Sequence, residues 1–312
     1  MVYCLTEKMN RLDRQSADDD PLAGRPFSRR RLLCALGGFV PALGLSCASA
    51  RTTKVGLPVK NSIRSDQLLI VSDFRMPPDH PLIQDLKSLR RQVSDELELP
   101  LGSRTVTVYL FSNELEYTQY LHATFPGYPP RRAYFIQTPG KEMAVYTWWG
   151  DRIQEDLRHE FTHGLLHACL EGVPLWLDEG LAEYFEVAGI RPGGVNLEHA
   201  QLLATAVHNG WRPDLDRLET LEKVEHMKRP DYREAWGWVH YMLHASPDTR
   251  QVVLNYIHEL RTNPNPGSLH ERLLAANPDV DLRWLSYVAA IQSPGVPFHA
   301  PVQRAAMYSP AR

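Results

Sequence analysis

The segment His159-Glu160-Phe161-Thr162-His163 has the residue types and spacing of metal-assisted hydrolysis. Residues four apart on a helix share a face, so the two imidazoles can grip one divalent ion. Glu160, between them, then lies beside that ion, where it can take a proton from a bound water. Zinc suits such a ligand set. A site of this kind requires a helix under the motif and a third ligand soon after it.

The flanking sequence supplies both. Residues 151–170 read as a helix: Ile153, Leu157, Phe161 and Leu165 form a four-residue apolar stripe, and Glu155 and Asp156 suit the positive end of the helix dipole. Asp151 is expected to cap it, with Gln154 completing a capping box. Gly172 and Pro174 end it. Residues 174–186 read as a second helix, opened by Pro174. Glu179 is the expected third ligand. Glu183, one turn on, is expected to accept the other ring N–H of His159. The competing reading makes Glu179, Glu183 and Glu186 a solvated helix face.

His159-Glu160-x-x-His163 followed by Trp176-Leu177-Asp178-Glu179-Gly180-Leu181-Ala182-Glu183-Tyr184 resembles the gluzincin metallopeptidases, in particular peptidase-MA-like bacterial proteins with a W-L-x-E-G-x-A-E-Y signature. The resemblance implies one zinc ion on His159, His163 and Glu179, with Glu160 as catalytic base and a peptide or protein as substrate. It also implies a small sheet above the metal helix, whose edge strand pairs with substrate; residues 143–148 are expected to be that strand, with Trp148 and Trp149 lining the cleft or packing in the core. It extends weakly to Tyr232, at the start of a further helix capped by Asp231, which corresponds to a tyrosine that stabilises an oxyanion. One departure stands out. Fifteen residues separate His163 from Glu179, fewer than in the zinc aminopeptidases, so their substrate pocket is not carried over.

Other candidates are weaker. His167 extends the histidine row but lies roughly 12 Å along the helix from His159, too far to share its ion. His208, His226, His240 and His244 show no ligand spacing. Cys169 falls beside the apolar stripe and reads as a packed thiol. No G-x-S-x-G elbow, P-loop or G-x-G-x-x-G fingerprint is present. The formal net charge of −3 and the absence of a basic run after the leader point away from nucleic acid.

Residues 1–50 read as an export leader. Ser28-Arg29-Arg30-Arg31-Leu32-Leu33 resembles a twin-arginine signature, the apolar run after it is too short for a span of about 20 residues, and Ala48-Ser49-Ala50 is an A-x-A cleavage pattern. A second reading of its end has Cys47 lipidated. The mature chain is thus expected outside the cytoplasm, with no transmembrane span. Cys4, Cys34 and Cys47 all lie in the leader, leaving Cys169 with no internal disulfide partner.

The expected architecture is α+β. A linker (51–66) precedes an α/β lobe (67–150) with strands at 68–71, 106–111, 133–136 and 143–148, helices at 82–97 and 113–123, and a turn at Pro139-Gly140. The metal-site helices and an all-helical C-terminal half follow (151–292), with helices at 197–209, 218–227, 232–244, 248–261, 268–276 and 282–290. Residues 293–312 read as a loose tail. Together these features point to an exported zinc hydrolase, with a non-catalytic peptide- or glycan-binding protein on the same fold as the alternative. Mass spectrometry of the exported protein is expected to find Arg51 at the N-terminus, or a lipidated Cys47; an intact Met1 would refute export.

Overall fold

The computed structural model describes residues 3–4, 56–100, 102–138, 142–188 and 195–291. The chain is α+β, a mixed sheet followed by helices. In order the elements are β1 (Tyr3–Cys4), β2 (Asn61–Ser65), β3 (Leu68–Ser72), α1 (Pro81–Leu97), β4 (Val106–Phe111), α2 (Glu114–Thr124), β5 (Ala133–Gln137) and β6 (Met143–Trp148). The helical half comprises α3 (Ile153–Cys169), α4 (Leu175–Ala188), α5 (Leu197–His208), α6 (Leu215–Glu219), a 3-10 turn (Val224–His226), α7 (Arg229–His244), α8 (Pro247–Glu259), α9 (Leu269–Ala276) and α10 (Val280–Ile291).

The strands lie in the order β1-β5-β6-β4-β3-β2. The central three, β3, β4 and β6, run parallel, and β4 is buried along its whole length. Alternation sorts their side chains. Val106, Val108 and Leu110 of β4, Val145 of β6 and Phe135 of β5 join the main core with α1 and α3. Tyr109, Phe111, Tyr134 and Tyr146 point to the other face, into an aromatic cluster with Tyr117 and Tyr120 of α2. The main core continues without a break through α4, α7 and α10.

Several expectations are corrected. The strand at 143–148 forms, but as β6 it lies between β5 and β4 and is not an edge. It is reached from β5 by an antiparallel return, which places β5 beyond it, between β6 and the two-residue β1; period-2 patterning alone cannot order strands within a sheet. The linker ends in a real strand: β2 pairs antiparallel with β3 through a turn at Asp66 (φ 51°), its polar Asn-Ser-Ile-Arg-Ser sequence suiting an edge with solvent beside it. Tyr3–Cys4, assigned to the leader, adds two residues to β5, opposite Gln137 and Ile136; an extended segment can meet an edge strand in this way. Asp151 does not cap α3. The N-cap is Arg152, and Asp151 instead pairs with Arg132 at 3.3 Å. The helix expected at 218–227 is divided into α6 and the 3-10 turn. Asp231 sits inside α7 and caps it from there, accepting the Lys228 N–H at 2.7 Å. The rest of the leader including Cys47, the Pro139-Gly140 turn and the tail from 292 lie outside the described residues. Among the described residues, no helix is long and apolar enough to cross a membrane.

Gly164 sets how closely α3 approaches the sheet. A Cβ there would lie 2.6 Å from Val106 Cγ1. Gly164→Ala is therefore expected to lower stability by about 1–3 kcal/mol, despite alanine's better helix propensity. Val106→Ala should cost less in that background than in the wild type. Thermal or denaturant unfolding of the four-member cycle measures this; additive effects would refute the close contact.

Candidate metal centre

α3 and α4 bring three buried side chains together. His159 Nε2 lies 3.5 Å from Glu179 Oε2, and His163 Nε2 lies 3.8 Å from the same oxygen. One ligand atom from each of the three falls within 4.8 Å of the others. The expected ligands thus converge, and none forms the solvated face of the competing reading: Glu179, Glu183 and Glu186 are all buried.

A carboxylate lies beside each outer ring nitrogen. His163 Nδ1 is 3.0 Å from Asp178 Oδ1, and Asp178 Oδ2 is 2.9 Å from His167 Nε2. His159 Nδ1 is 3.2 Å from Glu186 Oε2. The carboxylate expected from Glu183 on His159 is therefore supplied by Glu186. Glu183 lies 3.0 Å from His199 Nε2, whose ring centroid is 5.5 Å from that of Trp236. Glu160 reaches the sheet instead, its Oε2 accepting the Phe135 N–H at 2.7 Å.

Protonation follows from burial. Glu179 is pushed up to about 8 by burial; the charge of His163 pulls it back, while Asp178, Glu160 and Glu183 add to the rise. Burial lowers His163, but the charge and hydrogen bond of Asp178 outweigh it and bring the imidazole to about 9. Burial would raise Asp178, but His163 and His167 hold it well below the usual carboxylate range.

The residues fit a divalent cation. Among the described residues, neither oxygen of the fully buried Glu179 has a hydrogen-bond partner, and neither does His163 Nε2. A buried carboxylate in that condition carries a large desolvation cost, which a cation would offset. Two imidazoles and one carboxylate are a zinc donor set. No protein-family model and no curated protein matches this chain. The site's chemistry must be read from these residues.

The remaining candidates divide. Tyr232 falls in the second turn of α7, buried, one turn before Trp236. Trp148 joins the aromatic cluster on the α2 face, 4.8 Å from Tyr117, on the side of the sheet opposite α3. Trp149 packs edge-on against Phe74 and His80 beside a shallow pocket of about 280 Å³. His240 and His244 are engaged by tyrosines, Tyr287 at 2.6 Å and Tyr184 at 2.9 Å. Cys169 is partly exposed, its Sγ 3.4 Å from the Pro100 carbonyl.

Sequence reading missed Asp178, Glu186 and His199 as partners of the site. Glu186 lies seven residues after Glu179, two turns along the same stripe, so helical spacing carried a signal for it. Asp178 and His199 had none, since their roles depend on how elements meet.

Cation binding needs Glu179 ionised and His163 Nε2 unprotonated, whereas on their own the two groups hold protons up to about 8 and about 9. Affinity for Zn²⁺ should therefore rise with pH through neutrality, with protons released on binding. Calorimetric titration in buffers of different ionisation enthalpy measures both. Affinity independent of pH would contradict this assignment.

Proposed function

We propose that this protein is an exported zinc-dependent hydrolase acting on peptide bonds. The observation that carries the reading is the buried Glu179 carboxylate, without a hydrogen-bond donor among the described residues, facing the Nε2 atoms of His159 and His163. His159, His163 and Glu179 would hold the ion. When bound, it supplies Lewis acidity, bringing the pKa of a coordinated water toward about 7 and polarising a carbonyl.

The protein's own residues do the rest. Glu186 and Asp178 hold Nδ1–H on His159 and His163, which keeps the Nε2 lone pairs toward Glu179. Glu160, oriented by the Phe135 N–H, takes the proton of the attacking water and passes it to the leaving amine. Tyr232 is assigned as donor to the developing oxyanion, on the strength of the resemblance. The peptide substrate class and zinc rest on the same resemblance, and export rests on the twin-arginine-like leader.

Glu160→Gln should retain wild-type metal content and lose turnover by at least about 10²-fold. Metal analysis paired with peptide-library cleavage, with and without chelator, tests this. A fully active variant would overturn the mechanism.

A further inference from the structure

Arg158 immediately precedes the first histidine of the motif and is completely buried. A buried guanidinium needs acceptors for its donors, and this one has them on two other helices. Its Nη1 is 2.9 Å from Asp85 Oδ1, and its Nη2 is 2.9 Å from Gln92 Oε1, both on α1. Its Nε donates to the carbonyls of Phe185 at 3.0 Å and Glu186 at 3.1 Å, and Nη2 donates to Phe185 again at 2.7 Å. Those carbonyls belong to the last turn of α4, where a helix leaves its final four C=O groups without partners. Adjacent residues of α3 therefore grip the same residue of α4 by different handles: Arg158 holds the main chain of Glu186, and His159 meets its side chain at 3.2 Å.

We propose that Arg158 is a positioning residue for the cation site: by clamping the final turn of α4 it keeps the Glu186 carboxylate on His159 Nδ1, and so keeps His159 Nε2 directed at Glu179. This rests on the cation-site reading above. The alternative is a guanidinium that only ties α1 to α4. The two differ in what they predict for metal binding. A clamp acting through Glu186 changes the affinity and geometry of the site, whereas a tie changes unfolding alone.

The test begins with wild-type protein and Zn²⁺ in a chelator-competition titration. If the wild type binds no Zn²⁺, the cation-site reading fails, and this proposal with it. Given binding, Arg158→Lys keeps the charge but cannot span Phe185, Glu186, Asp85 and Gln92 at once. It is expected to lose Zn²⁺ affinity by about 10-fold or more and to shift the visible absorption of the Co²⁺-substituted protein. Glu186→Gln should do the same, and the double variant should be no worse than the weaker-binding single variant. If Arg158→Lys does not fold, Gln92→Ala, which loosens one arm of the guanidinium, is read in the same way. Wild-type affinity and an unchanged Co²⁺ spectrum in a variant that only melts earlier would overturn the proposal, as would losses that multiply independently in the double variant.

Discussion

The carboxylate of Glu179 sits in the interior with no hydrogen-bond donor among the described residues, and much of the surrounding structure answers to that constraint. An anion stripped of water in this way is unstable unless it takes up a proton or meets positive charge. Around it lie four more buried acids: Glu160, Asp178, Glu183 and Glu186. Each has a described partner: Glu160 a backbone N–H, Asp178 two histidines, Glu183 and Glu186 one histidine each. These four acids are thus satisfied locally, while Glu179 faces the Nε2 atoms of two imidazoles.

That arrangement depends on close approach of helices. Gly180, next to Glu179, lies where α4 meets α7: a Cβ there would fall 2.7 Å from the Ala235 carbonyl oxygen. With a larger residue, α4 would have to lift from α7. Gly164 does the same for α3 and β4, one residue after His163. Glu179 and His163 are therefore adjacent in sequence to the contacts that fix the depth of their helices, α4 against the backbone of α7 and α3 against the Val106 side chain of β4.

How much of this was legible in the sequence follows from the range of each interaction. His159, Glu160 and His163 are related by the local geometry of one helix, and Glu179 by a short connection to the next, so periodicity sufficed for all four. β4 was readable as a strand from its Val-Thr-Val-Tyr-Leu-Phe run, but its burial on both faces depends on the aromatic cluster with α2 on the side away from α3. Strand order was not, because Ala133–Gln137 and Met143–Trp148 read alike, and only pairing reveals that the first is the outer one. β2 was lost in the linker because an edge strand tolerates the polar residues that otherwise mark a loop. Asp178 was hidden for a different reason: its value lies in standing between His163 and His167, a relation among three residues on two helices.

The hydrogen bond from Phe135 to Glu160 has a consequence for the sheet itself. A strand on the outside of a sheet exposes amides that recruit any extended chain, and proteins blunt them with charge. Here a carboxylate from the neighbouring layer takes one of those amides, one residue along from where Tyr3–Cys4 pairs. A polypeptide aligning itself further along β5 would compete with Glu160 for that N–H. While Glu160 keeps that N–H, the margin of the sheet offers one amide fewer to any arriving chain.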